Sequence, residues 1–74
     1  MNNTKRREIR KLASQLETIK ELAEQLRDDE QEKLDNMPPS LAEGTAGEGM
    51  SEAIENLNSA VDSIEDAVSS LEEV

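Results

Sequence analysis

From Met50 onward the apolar residues fall at Met50, Ile54, Leu57, Val61, Ile64, Val68 and Leu71, in alternating steps of four and three. That spacing is a heptad repeat: Ile54, Val61 and Val68 take a, Met50, Leu57, Ile64 and Leu71 take d, and Ala53, Ala60 and Ala67 take g. It predicts a helix over about residues 51–74 whose apolar side needs a helical partner. A second repeat runs through Ile9, Leu12, Leu16, Ile19, Ala23 and Leu26 in steps of three and four, widened by Ala13 at e and Leu22 at g. A stripe of that width suits a bundle better than a narrow two-stranded coil. Asn2, Asn3 and Thr4 can each cap this helix, and neither Pro nor Gly occurs before Asn36, so it is expected over about residues 4–36.

The text between the repeats is less regular. After Leu26 the next slots hold Glu30 and Lys33, and apolar residues return out of phase at Leu34 and Met37. Either the helix continues as a solvated extension or it shifts phase to bring Leu34 and Met37 over the hairpin tip; the shift is the expected outcome. Pro38 and Pro39 then end the helix, because Met37 is pushed out of helical geometry and neither proline can donate a hydrogen bond. Residues 37–50 read as a loop of Pro, Ser, Gly and small side chains, in which Leu41 is either a solvated tip or, with Met37, a plug for the end of the helix pair. Thr45 and Glu48 have capping-box spacing, but Gly47 and Gly49 weaken a helix started there. Ser51, followed by Glu52 and Glu55, is the better N-cap.

Composition turns the pair of helices into a specific assembly. Seventy-four residues form one domain, 1–74, and a chain of this size buries only about 60% of its unfolded surface. It has no Phe, Tyr, Trp or Cys, so neither aromatic packing nor a disulfide supplements the core. Low hydrophobicity with a net charge of −10 lies near the disordered class, and only the two repeats argue for a fold. The charge is unevenly laid out: Lys5, Arg6, Arg7, Arg10 and Lys11 crowd the start, while no base follows Lys33. Bases at a helix start and acids at a helix end both oppose the backbone dipole, and antiparallel folding sets one mismatch against the other. The expected fold is therefore all-α, an antiparallel helical hairpin that assembles into a dimeric four-helix bundle or higher oligomer, with Ile9, Leu12, Leu16, Ile19, Leu26, Ile54, Leu57, Val61, Ile64, Val68 and Leu71 as its hairpin or oligomer seam. The repeating Ala53, Ala60 and Ala67 either allow close helix approach or simply serve helix propensity.

The same residues narrow the chemistry. With no His, Cys or Tyr, acid–base work would fall to Asp, Glu or Lys in a body too small and open to shift their pKa values, so no catalytic residue and no cofactor is expected. The run from Asp28 to Asp35 lacks the alternating acids and central Gly of a calcium loop, and no metal is expected there. Arg6, Arg7, Arg10 and Lys11 are the candidate residues for a small anionic ligand such as a nucleotide, because they cannot all face the other helix. The lack of aromatics to stack bases and the acidic body argue against direct nucleic-acid binding. An acidic surface can also imitate the DNA backbone. The basic start has no apolar run of about 7 to 15 residues behind it, and no segment approaches about 20 apolar residues, so a soluble intracellular protein with no membrane association is expected.

Lys5-Arg6-Arg7 opening a helix, Asp29-Glu30-Gln31-Glu32 leading to Asp35-Asn36-Met37-Pro38 and Ser40-Leu41, then Gly47-Glu48 with Ala53-Ile54-Glu55-Asn56-Leu57 and Ala60, resemble a group of short proteins. Those proteins are carried by phages, prophages and integrative elements of Gram-positive, often gut-dwelling, bacteria. Pro39 departs from their pattern, in which a single Pro occupies the turn. The resemblance implies a mobile-element origin and the cytoplasm of a bacterial host. It also implies a counter-defence role by binding. The expected function is stoichiometric binding of a host protein by an oligomer, with a sponge for a nucleotide immune signal and a DNA-mimicking inhibitor as alternatives.

Overall fold

In the computed structural model, which describes residues 1–74, Asn2 opens the first helix: its Oδ1 accepts from the backbone N–H of Lys5 at 2.8 Å. Helix α1 then runs unbroken over Asn3–Asp35. A single helical turn, α2 (Pro39–Ala42), follows, and α3 (Thr45–Glu72) returns antiparallel to α1. There are no strands, and no helix is long and apolar enough to cross a membrane. The result is a rod of 58 × 14 × 11 Å with a radius of gyration of 17.0 Å. A globular chain of this length would have roughly 11 Å.

The packing seam differs in phase from the stripe that the apolar residues of α1 suggest. The half-buried positions of α1 are Ile9, Ala13, Leu16, Lys20, Ala23, Arg27, Glu30 and Leu34, with Glu24 beside them, and Met37 continues the row just past the helix end. Their steps of four and three form one uninterrupted heptad row. Leu34 and Met37 are thus in phase with Ile9 and Leu16, and the expected phase shift after Leu26 does not occur. The expected seam members Leu12, Ile19 and Leu26 are more than half exposed, as is Leu22 (51%, 51%, 60% and 54%). On α3 the a row forms the core, with Ile54, Val61 and Val68 only 8%, 4% and 4% exposed. Leu57, Ile64 and Leu71 at d are half-buried, as are Ala53 and Ala67 at g, while Ala60 is exposed.

The connection is shorter than the loop expected over residues 37–50. Pro38 presents extended backbone and Pro39 takes the first helical position, where its fixed φ fits and its missing donor costs nothing. Leu41 and Ala42 both donate to the Pro38 carbonyl, at 2.9 and 3.0 Å. Gly44, not Ser51, caps α3, with Glu48 N–H donating to the Gly44 carbonyl at 3.0 Å and no side-chain capping bond. Met37 is half-buried, and Leu41 stays exposed.

Gly47 explains why α3 starts early. It is buried in the first turns of α3, and a Cβ there would lie 1.8 Å from the backbone oxygen of Ala42. Only a glycine lets α2 pack this closely, so the glycine that weakens helix propensity makes the tight reversal possible. Gly49 has nothing within 4 Å of the same position. Gly47→Ala should therefore destabilise the hairpin, with steric displacement of α2 outweighing a propensity gain of about 1 kcal/mol, while Gly49→Ala should stabilise it by up to about 1 kcal/mol. Urea denaturation followed by circular dichroism tests this; shifts of the same sign in both variants would contradict the close approach.

Candidate functional site

Two edges flank the α1–α3 seam, and they differ in chemistry. On one, Lys20 Nζ lies 3.7 Å from Glu65 Oε1, and Arg27 Nη1 donates to Asn58 Oδ1 at 3.1 Å. One heptad forward in α1 is one heptad back in α3, so these two contacts mark the antiparallel register. Lys20 and Arg27 occupy seam positions that an apolar pattern would give to Leu, and their side chains are only 19% and 26% exposed. The methylene stems cover α3 while the charged heads reach water. Lys20 also lies 3.3 Å from Glu17, and Arg27 pairs with Asp28 at 3.1 Å.

The other edge is apolar and open. Leu12, Ile19, Leu22 and Leu26 line it along α1. Leu26 and Leu57 share a shallow cleft of about 300 Å³ with Asp29, Glu30 and Lys33. This cleft places the exposed row of α1 and the half-buried d row of α3 on the same side of the rod. The apolar edge is thus a broad surface built by both helices.

The basic cluster divides at the open end of the hairpin. Arg6 and Arg10 line a cleft of about 460 Å³ with Ile9, Leu71, Glu72 and Val74. Arg7 and Lys11 fall on the side of α1 turned away from α3. All four are exposed, and neither they nor Lys5 form an ion pair. The expected adjacency of basic start and acidic end is present, but it acts through the field across the cleft rather than through paired contacts. At the opposite end Glu43, Glu48, Glu52 and Glu55 line an acidic groove of about 640 Å³ with Ala42 and Ser51. No group of three or more carboxylates converges in a way that could hold a metal ion.

The clefts are open to solvent, and no charged residue is buried. No family model matches the chain, and comparison with curated proteins and with solved structures gives no match.

Lys20 is the one group whose proton affinity is clearly altered. Its hydrogen bond to Glu17 raises the pKa above the ordinary 10.5, against partial desolvation and with help from the Glu17, Glu65 and Glu24 charges. A raised folded-state value makes Lys20 stabilising below 10.5, and that contribution disappears as pH rises through the folded-state value. Above pH 10.5 the wild type should lose more stability than Lys20→Met, which keeps the stem and lacks the charge. Parallel loss in both proteins, measured by thermal melts from neutral to alkaline pH, would contradict this role.

Proposed function

We propose that the chain is a small, non-enzymatic, self-associating accessory protein of a phage or other mobile element. It works in the cytoplasm of its bacterial host by stoichiometric binding of a host protein, in a counter-defence role. The observation that carries this reading is the sorting of charge on α3. Its acids, among them Glu52, Glu55, Asp62, Glu65, Asp66 and Glu72, occupy heptad rows b, e and f. Rows d, g and c hold none from Met50 to Leu71. Solubility alone would be served by acids scattered round the helix; a sorted helix presents one continuous anionic face, which fits a basic surface on another protein. A DNA-mimicking inhibitor is the case in which that basic surface is a nucleic-acid cleft.

Arg6 and Arg10 favour the second reading, a sponge for a small anionic nucleotide. They line one cleft and neither is engaged in an ion pair. The two readings separate by mutation. Neutralising the anionic face with Glu55→Gln, Asp62→Asn and Asp66→Asn together should weaken host-protein binding about tenfold or more, at roughly 0.5 kcal/mol for each exposed pair, and remove protection of phage growth in a defended host. Arg6→Gln with Arg10→Gln should leave both intact. The reverse pattern, with helical content unchanged by circular dichroism, would sink the protein-binding reading and favour the sponge.

A further inference from the structure

The acids of α3 avoid more than its buried row. Round the helix from a, the next rows are d, g and c, and c holds Asn56, Ser63 and Ser70. The side of α3 beyond its contact with α1 is therefore uncharged for six turns and carries Ala53, Ala60 and Ala67 at its middle. The same rows of α1 are uncharged from Leu12 to Leu26, where Leu12, Ile19, Leu22 and Leu26 stand exposed. Because Leu26 and Leu57 share a cleft, the two uncharged faces adjoin and form one whole side of the rod.

The exposed area suits a partner of fixed size. A folded chain of 8.2 kDa exposes roughly 4,500 Å² by the usual scaling, and this rod exposes 5503 Å². The excess of roughly 1,000 Å² is of the order that one partner contributes to a standard interface, about 800 Å².

The charges at the ends of the stripe identify the partner. Helix α1 begins with Lys5, Arg6, Arg7, Arg10 and Lys11 against Glu8 alone, and ends with Asp28, Asp29, Glu30, Glu32 and Asp35 against Arg27 and Lys33. It is self-complementary when turned end for end. Ile19 lies midway along α1 and is equidistant from Leu12 and Leu26. An isologous interface requires such two-fold pairing of a surface with itself. We infer that a second copy of this chain covers the uncharged side of the rod, with the two α1 helices antiparallel across a two-fold axis near Ile19. Turned end for end about that axis, residues 5–11 of each α1, with five bases against Glu8, lie beside residues 27–33 of the other, with four acids against Arg27 and Lys33. The α3 helices meet the second copy through Ala, Ser and Asn, so close approach brings no acids together.

This inference rests on the self-association proposed above and adds its surface and direction. The chain has no native cysteine, so single cysteines report the arrangement directly. With a short bis-maleimide, Ile19→Cys should crosslink to itself. Leu12→Cys and Leu26→Cys should not crosslink alone, because each would sit about 21 Å from its own copy at 1.5 Å per residue. Mixed before refolding, the two should crosslink to each other. Ile19→Lys should reduce the mass in solution from two chains to one, while Ser59→Lys, on the outward f row, should leave it unchanged. Self-crosslinking of Leu12→Cys would overturn the direction and keep self-association. Equal effects of Ile19→Lys and Ser59→Lys would overturn the surface, and a monomeric wild type would overturn both this inference and the self-association beneath it.

Discussion

Two helices meeting along one line can each bury a single row of side chains. In this hairpin the row on α3 is Ile54, Val61 and Val68, the only large side chains that are nearly removed from water. Everything else is arranged around that limit. The α1 row that answers it contains Lys20, Arg27 and Glu30 among its apolar members, so one edge of the seam is finished by Lys20–Glu65 and Arg27–Asn58. A polar edge contributes little cohesive energy in water, but it penalises other registers, since a shift of one turn would leave these heads without their partners. At the tip, the absence of a side chain at Gly47 lets Ala42 close against α3 and fixes where the return helix begins.

Charge is sorted as strictly as hydrophobicity. Acids occupy the outward rows of α3 and small uncharged residues occupy the side rows, so the hairpin has an anionic back and a bare flank. The bases are confined to α1. Within one copy they soften the acidic end of α3 across the Arg6–Glu72 cleft without forming contact pairs. On the proposed reading, the bare flank serves assembly and the anionic back serves another molecule. That division connects the fold to the proposed function, because covering the flank leaves the anionic back free.

Much of this was legible in the sequence. The heptad of α3 is unbroken and includes the buried row Ile54, Val61 and Val68 without separating it from the half-buried d row, and the two prolines mark the reversal. Apolar residues alone do not separate the row of α1 that touches α3 from the one that stays exposed in the single chain. Leu12, Ile19 and Leu26 make a better apolar heptad than the row that touches α3, which contains two long cations. The available signal was phase: Leu34 and Met37 fall in step with Ile9 and Leu16, and only a row through Lys20 and Arg27 joins them. The early start of α3 was missed for a related reason. Glycine was weighed by its helix propensity, whereas at Gly47 the absence of a side chain is the structural requirement, and the atom it makes room for lies on another element.

Small-angle X-ray scattering of the wild-type chain measures both quantities on which this picture turns, mass and length. Side-by-side pairing through the bare flank predicts a particle of twice the chain mass whose long dimension stays near the 58 Å of the single rod. A particle of single-chain mass, or one whose length grows in proportion to its mass, would contradict it.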